Sequence, residues 1–359
     1  MAKYRINIAL WQVPTMVVNS HSKPQLAEYE RTLTNTVAAR SLDERMALLR
    51  KRVGKADAFF RTYPGPPDRR NVTLFAAPEY LFARNASEHF VSEEEKDHLL
   101  TELAKLSDDF PNVLLFPGTI AWKKPALRPD HPEPARHNNR GQKALAQRKL
   151  GGTDIYSNRD TKAFTQAQSS GEQYYLARNT CYVMHQGDLL LKYHKRDNGN
   201  ETDRVSDGED VFFVHGARDS VFEAEGLSFG LKICAEVVTP LPQLVDVQVV
   251  ISASRLVIPS SMQLRPGAYC CHADAIYPPT VWHRTKGGLF KSGVIEEITA
   301  NVQRRGGGPI TKHRAGVRIT HALNYKANAA LLDPDSQAYA EKVTEMRGRA
   351  RYYRLDYDK

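Results

Sequence analysis

The pattern of apolar and polar positions over the first 60 to 80 residues predicts strands separated by a helix. Residues 4–13 are apolar and β-favouring until Pro14 breaks the run, and residues 71–78 form a second, shorter apolar run. Between them, residues 24–54 carry Leu, Val and Met at helical spacing, and Gly54 is the predicted end of that helix. This order predicts an α/β structure in which helices cover a sheet.

Further elements continue the pattern. Ser92 followed by three glutamates is typical of a helix start, and the leucines after it are spaced for one buried face. Residues 112–122 form the next predicted strand. The second half is β-rich, because short apolar runs alternate with Gly-containing turns. Its predicted strands cover residues 182–185, 189–193, 211–214, 227–234, 245–253, 317–323 and 329–332.

Residues 123–175 differ in composition from the rest of the chain. They are rich in Pro, Arg, Lys, Gln, Asn and Ser and contain few large apolar side chains. Such a segment cannot bury enough apolar surface to form a core of its own. We therefore predict one domain over residues 1–359 that carries a mobile, basic insertion.

Composition restricts the class of protein. The 359 residues are 41% hydrophobic and 25% charged, which excludes collagen-like, coiled-coil and wholly disordered chains. No run approaches the ~18 apolar residues of a membrane span, and no signal peptide is expected. The formal charge of +9 attracts anions at low salt, but charge alone selects no partner.

The cysteines indicate a reducing compartment, so a cytoplasmic protein is expected. Cys181, Cys234, Cys270 and Cys271 are too few and too irregularly spaced for a disulfide framework. Cys181 lies within an apolar run and is predicted to belong to the core. The segment from Cys270 to His272 lacks the spacing of a tetrahedral zinc site, so no metal is predicted.

Three segments place a reactive side chain where an apolar run ends. These side chains are the carboxylate of Glu79, the ammonium of Lys195 and the thiol of Cys234. Together they suffice for thiol-dependent acyl transfer. The carboxylate can take the thiol proton, the thiolate can attack a carbonyl or nitrile carbon, and the ammonium can stabilise the developing negative charge.

The three segments resemble the motifs of the nitrilase, or carbon–nitrogen hydrolase, superfamily. Glu79 follows a proline after an early strand, Lys195 ends a Tyr-x-Lys segment, and Cys234 ends a Gly-x-x-x-Cys segment with the acid Glu236 soon after. The motifs occur in the family order, 116 and 39 positions apart, and the resemblance covers about residues 4–335. Supporting matches are Gln12, Gly118, Asn179-Thr180 and Ser252-Ala253.

The resemblance implies an α-β-β-α sandwich of the nitrilase type and an amidase that acts through a thioester. Glu79 would be the general base, Lys195 the electrostatic stabiliser and Cys234 the nucleophile. The family needs no cofactor and commonly forms homodimers. The expected partners are therefore a small-molecule amide or nitrile and a second copy of the chain, and neither a membrane nor a nucleic acid is expected.

Two assignments remain open. The family has a second glutamate after the lysine, for which Glu201 is the best match and Asp203 and Glu209 are competitors. Lys192 is a rival to Lys195; we choose Lys195 because it stands at the strand end, and we predict that Lys192 is solvated. The chain also departs from the family where Ala235 replaces the usual aromatic residue after the cysteine.

Function also remains open within the resemblance. The same thioester can be captured by an amine, and the same thiolate can attack a nitrile, so acyl transfer and nitrile hydrolysis are alternatives to amide hydrolysis. A third hypothesis is a non-catalytic basic binding protein on the same fold, for which a steep loss of binding with salt would be the signature.

Overall fold

The structure is a computed structural model that describes twelve parts of the chain: residues 2–13, 15, 40–62, 67–84, 89–125, 175–196, 211–216, 220–253, 255–275, 279–292, 296–298 and 349–359. Several predicted features lie outside these residues. They are residues 24–39 of the first predicted helix, residues 126–174 of the predicted insertion, the candidate glutamate positions 201, 203 and 209, and the predicted strands at 317–323 and 329–332.

Nine of the described strands form the first sheet, which is built on three parallel strands. These are β1 (Lys3–Gln12), β2 (Arg70–Ala76) and β3 (Val113–Phe116). The antiparallel β15 (Arg349–Asp358) extends the sheet beyond β1. The remaining members are β4 (Ile120–Pro125), β5 (Tyr175–His185), β6 (Asp188–His194), β7 (Val211–Phe213) and β14 (Glu296–Ile298).

The second sheet has six described strands. Its centre is parallel and consists of β9 (Leu227–Ile233), β10 (Val245–Ser252) and β11 (Leu264–Asp274). The antiparallel strands β8 (Val221–Ala224), β12 (Thr280–Arg284) and β13 (Phe290–Ser292) flank this centre, which gives the strand order β13-β12-β11-β10-β9-β8. Both sheets therefore contain parallel strands whose carboxyl ends can supply side chains to one site.

The two sheets pack face to face through apolar side chains. Every second residue of β1 and β9 points into this core, which follows from the period of two along a strand. Each fully buried aliphatic side chain contributes ~1.5–3 kcal/mol relative to an exposed one. Members from the central strands are Ile6, Ile8, Leu10, Leu74, Phe229, Leu231, Ile233, Val247, Val249 and Ile251.

Two α-helices cover the other face of the first sheet. They are α1 (Leu42–Thr62), which packs against β1 and β2, and α2 (Glu93–Asp109), which packs against β3, β4, β5 and β6. The predicted capping box at Ser92 is confirmed, since its hydroxyl accepts from the Glu95 amide at 3.2 Å. Neither described helix is long and apolar enough to cross a membrane.

The predicted two-sheet α/β architecture is confirmed. The described residues supply a helical layer, the first sheet and the second sheet in that order. The described residues contain two α-helices, and the connections between strands of the second sheet include short 3-10 turns at Cys234–Val238 and Pro259–Ser261.

The predicted end of the first helix is wrong, and residues 40 and 41 interrupt the predicted helical run. Helix α1 begins at Leu42 because Ser41 and Glu44 form a capping box, with the Ser41 amide donating to the Glu44 carboxylate at 2.8 Å. Gly54 does not end the helix, which continues to Thr62. Its missing side chain instead makes room for Phe110, because a Cβ on Gly54 would lie 3.1 Å from the Phe110 ring.

The single strand predicted over residues 112–122 is two strands, β3 and β4, separated near Gly118. Gly118 has a φ of +82°, and a Cβ there would lie 2.4 Å from the carbonyl oxygen of Pro78. Only glycine fits this approach without strain. The predicted bounds of the insertion are wrong at both ends, because Lys123 to Pro125 belong to β4 and Tyr175 belongs to β5.

Strand β15 was not predicted. Its charged residues alternate with Tyr353, Leu355 and Tyr357, which are buried in the core between the sheets. The charges face outward, where Asp356 pairs with Arg5 of β1 at 2.7 Å. The period-two pattern was therefore present in the sequence, although arginine and aspartate obscured it.

The Gly118 geometry predicts the outcome of a matched pair of substitutions. Gly118→Ala and Gly288→Ala both place alanine at a φ above +80°, which should lower the free energy of unfolding by ~1–2 kcal/mol in each variant. Nothing lies within 4 Å of a Cβ on Gly288, whereas Gly118→Ala also collides with Pro78 and should cost a further ~1–3 kcal/mol. Urea unfolding of both variants measures the difference, and equal free energies of unfolding would contradict the close approach.

Candidate active site

Glu79 stands just beyond the carboxyl end of β2 and is completely buried. Its backbone is held from three sides: the Glu79 amide donates to the Ser252 carbonyl at 3.4 Å, the Thr15 hydroxyl donates to the Glu79 carbonyl, and the next amide, of Tyr80, donates to the Thr119 hydroxyl at 2.8 Å. Tyr80 has a φ of +61°. This irregular backbone turns the Glu79 side chain into the space between the sheets' carboxyl ends.

Lys195 directly follows β6 and is 1% exposed. Its Nζ lies 2.7 Å from Oε1 of Glu79, and the Nδ2 of Asn179 donates to the same oxygen at 2.9 Å. Asn179 also accepts from the Lys195 amide through its backbone carbonyl at 2.7 Å. The asparagine thus holds both members of the ion pair, one through its side chain and the other through its backbone.

Cys234 is the first residue of the 3-10 turn that follows β9, with a φ of +46° and an exposure of 8%. Its thiol lies near enough to the Glu79 carboxylate and the backbone N–H of Ala253 for both groups to act on its pKa. Burial raises the pKa of the Cys234 thiol, the Glu79 charge raises it further, and the Lys195 ammonium lowers it. The structure therefore brings together all three reactive side chains that the sequence analysis singled out.

Lys192, the rival to Lys195, lies away from this site. It is exposed on β6, and its ammonium lies 5.9 Å from the centre of the Tyr182 ring. Partial burial and the nearby charge of Lys96 lower the pKa of Lys192. The prediction that Lys192 is solvated is confirmed, and it is Lys195 that contacts Glu79.

The candidates for a second glutamate, Glu201, Asp203 and Glu209, lie outside the described residues. The described part of the chain contains another buried carboxylate close to Cys234 in sequence, that of Glu236. It accepts hydrogen bonds from the Tyr193 hydroxyl at 3.0 Å, from the Arg196 amide and from the Ile233 amide at 2.9 Å.

The other three cysteines are buried, as expected for Cys181, and burial raises their pKa values. Cys270 and Cys271 lie in β11, and within the described ranges no group of three or more His, Cys, Asp and Glu side chains could hold a metal ion.

A Ser-His-Asp group also lies near this end of the molecule. The Ser252 hydroxyl lies 2.7 Å from Nε2 of His272 and also contacts the Asp274 carboxylate. A catalytic triad requires the carboxylate on the ring nitrogen opposite to the serine. Here Asp274 faces the same nitrogen, at 3.6 Å, so this buried group supports the ends of β10 and β11 instead.

Sequence reasoning did not assign roles to Asn179, Tyr80 or Glu236. Asn179 is completely buried in β5, although its neighbours Arg178 and Thr180 are also polar. No local pattern therefore marks Asn179; its need for hydrogen-bond partners becomes apparent only once the strand is buried. The sequence marks Glu236 only as the acid after the cysteine, and its contacts with the segment around Lys195 become visible only in three dimensions.

Comparisons with known proteins give matches among solved structures only. No protein-family model matches the sequence, and no curated protein does. The chain is similar to a CN-hydrolase superfamily protein from Xanthomonas campestris, described with an arsenic adduct in its active site, at 11% identity and a TM-score of 0.37 over 82% of each chain.

Two glutamine-dependent NAD+ synthetases are also similar to it. The enzyme from Acinetobacter baumannii matches 80% of this chain at 13% identity with a TM-score of 0.41, and the enzyme from Cytophaga hutchinsonii matches 81% at 10% identity with a TM-score of 0.36. The chain spans less than half the length of these synthetases, 43% and 40%. The solved structures similar to this chain thus include a protein of the CN-hydrolase superfamily, whose motifs its sequence resembles.

Proposed function

We propose that this protein is a thiol-dependent hydrolase of non-peptide carbon–nitrogen bonds, and that its substrates are amides. The observation that carries the proposal is one buried carboxylate, that of Glu79, which contacts the Lys195 ammonium and lies near enough to the Cys234 thiol to act on its pKa. A base, a nucleophile and a cation within reach of one another are the parts that acyl transfer requires.

In the first half-reaction, Glu79 takes the proton of the Cys234 thiol as the sulfur attacks the amide carbon. Negative charge develops on the amide oxygen, where the Lys195 ammonium would stabilise it. The carbon–nitrogen bond then breaks, the proton on Glu79 moves to the leaving nitrogen, and ammonia or an amine departs. The acyl group remains on the sulfur as a thioester.

In the second half-reaction, Glu79 is again an ionised base and takes a proton from water as the water attacks the thioester. The carbon–sulfur bond breaks, the carboxylic acid is released, and the proton on Glu79 returns to the sulfur. One carboxylate thus serves as base and acid in both halves.

The electrostatics of the site favour a neutral thiol at rest. Burial and the Glu79 charge both raise the pKa of Cys234, against the weaker opposing effect of Lys195. The nucleophile must therefore be generated by proton transfer to Glu79 during the attack, and not by a thiolate that is already present. This requirement makes the Glu79 carboxylate, held in place by Lys195 and Asn179, essential to the proposed reaction.

Nitrile hydrolysis and acyl transfer to an amine remain alternatives on the same three residues, because they differ only in the substrate and in the group that captures the thioester. The homodimer stays a prediction of the family resemblance. A non-catalytic binding role is disfavoured by the cost of burying a charged Glu79–Lys195 pair, which a passive scaffold does not require.

The first test measures ammonia released from a panel of amides and nitriles, with and without an added amine acceptor. We expect turnover of at least one amide, and a covalent acyl adduct on Cys234 by mass spectrometry. Cys234→Ala removes the nucleophile and should abolish both. Turnover that persists in Cys234→Ala would refute the proposed nucleophile, whereas turnover of nitriles alone would select that alternative.

The second test compares the alkylation of Cys234 by iodoacetamide with and without the Glu79 charge. Glu79→Gln should abolish turnover. Because an ionised Glu79 disfavours the thiolate, its removal should lower the pKa of Cys234 and move the alkylation profile to lower pH by ~1–3 units.

Cys181 and Cys270, both 0% exposed, serve as internal references and should react more slowly than Cys234. An unchanged alkylation profile in Glu79→Gln, or a profile moved to higher pH, would show that the carboxylate does not act on the thiol.

The third test uses the two lysines of the same segment as a matched pair. Lys195→Ala should reduce kcat by ~10²–10³ because the developing oxyanion loses its cation. Lys192→Ala removes an exposed ammonium outside the site and should leave kcat within about twofold, as is typical of surface substitutions. Equal effects of the two substitutions on kcat would remove Lys195 from the proposed mechanism.

A further inference from the structure

Glu236 connects the two backbone segments that carry Cys234 and Lys195. Its Oε2 accepts from the amide of Ile233, the residue before Cys234, at 2.9 Å. Its Oε1 accepts from the amide of Arg196, the residue after Lys195, and from the Tyr193 hydroxyl at 3.0 Å. One carboxylate therefore contacts the neighbours of both reactive side chains.

The cysteine turn needs such support. Cys234 has a φ of +46°, and a residue with a Cβ adopts this left-handed conformation at a cost of ~1–3 kcal/mol, which it does only when its surroundings hold it there. The hydrogen bond from the Ile233 amide to the Glu236 side chain closes the turn across Cys234.

The lysine segment is held by the same group. Lys195 lies just beyond the last residue of β6, where its amide donates to the Asn179 carbonyl at 2.7 Å and its carbonyl accepts from the Gly216 amide at 3.0 Å. Tyr193 and Arg196 flank it on both sides, and both donate to Glu236. The carboxylate thus sets the separation between the lysine segment and the cysteine turn.

We infer that Glu236 is a positioning residue, which holds the Cys234 thiol against the Glu79–Lys195 pair. The inference rests on the proposed function. It adds a second buried carboxylate with a role unlike that of Glu79, because Glu236 acts through backbone and hydroxyl donors and not on the substrate. Burial raises the pKa of Glu236, while three donors and the Lys232 ammonium favour its charged form.

Replacement of Glu236 by glutamine should loosen this connection without changing the size of the side chain. A glutamine has one acceptor oxygen, and its amide nitrogen cannot accept a hydrogen bond. The Ile233 amide, or the donors of the lysine segment, would therefore lose their acceptor. Glu223→Gln is the matched control, because it makes the same change at an exposed position of β8.

The experiment is a double-mutant cycle on the pH profile of Cys234 alkylation by iodoacetamide. It measures how far Glu79→Gln moves this profile along the pH axis in three backgrounds: the native protein, Glu236→Gln and Glu223→Gln. We expect the shift in Glu236→Gln to be less than half of the native shift, since the thiol is no longer held against Glu79. In Glu223→Gln we expect the full shift.

A full shift in Glu236→Gln would overturn the positioning role. Because alkylation needs no substrate, this result is separate from the failure to find an amide that is turned over. Absence of any shift in the native protein would instead refute the contact between Glu79 and Cys234, and the role of Glu236 with it.

Circular dichroism and thermal unfolding establish that each variant is folded. If Glu236→Gln does not fold, Tyr193→Phe replaces it in the cycle. Tyr193→Phe removes one donor to Glu236 and leaves its two backbone donors. In Tyr193→Phe we expect the pH shift caused by Glu79→Gln to be reduced, but by less than the half expected for Glu236→Gln. A shift of the full native size would overturn the inference.

Discussion

The proposed chemistry depends on the buried ion pair of Glu79 and Lys195. Their side chains are 0% and 1% exposed, and removing a carboxylate and an ammonium from water costs several kcal/mol per ion even after the protein relaxes. Direct contact at 2.7 Å and the hydrogen bond from Asn179 offset part of this cost. Such a pair therefore adds little to the free energy of folding. The apolar core between the two sheets supplies the stability that keeps the pair buried.

The arrangement of the parallel strands explains where the pair lies. Glu79 follows β2 of the first sheet and Cys234 follows β9 of the second, while Ser252 ends β10 beside it. Along their middle parts, β2, β9 and β10 direct apolar side chains into the core between the sheets, and the reactive groups stand where these strands end. Ser252 then connects the sheets, because its carbonyl accepts from the amides of both Glu79 and Ala275.

The position of the reactive residues at strand ends also decides how much of the site could be predicted from the sequence. A strand that ends in a reactive side chain is visible in the local pattern, and so Glu79, Lys195 and Cys234 could be found, as could most described strands of the first sheet and, in the second sheet, β9 and β10. Contacts that join distant segments are not visible locally. The approach of Gly118 to Pro78, the packing of Phe110 on Gly54 and the hydrogen bonds of Glu236 all depend on where other segments pack, which no window of neighbouring residues records.

At the proposed site, the overall fold imposes backbone conformations that the residues do not prefer locally. Tyr80 and Cys234 both have left-handed backbone conformations. Tyr80 directly follows Glu79, and Cys234 is itself one of the three reactive residues. At ~1–3 kcal/mol each, two such residues offset a substantial part of the 5–15 kcal/mol typical of domain stability. That cost can persist because the core between the sheets is large and because polar groups such as Thr119 and Glu236 bind the strained segments. Residues that bind the strained backbone, and not only those that would touch a substrate, therefore belong to the site.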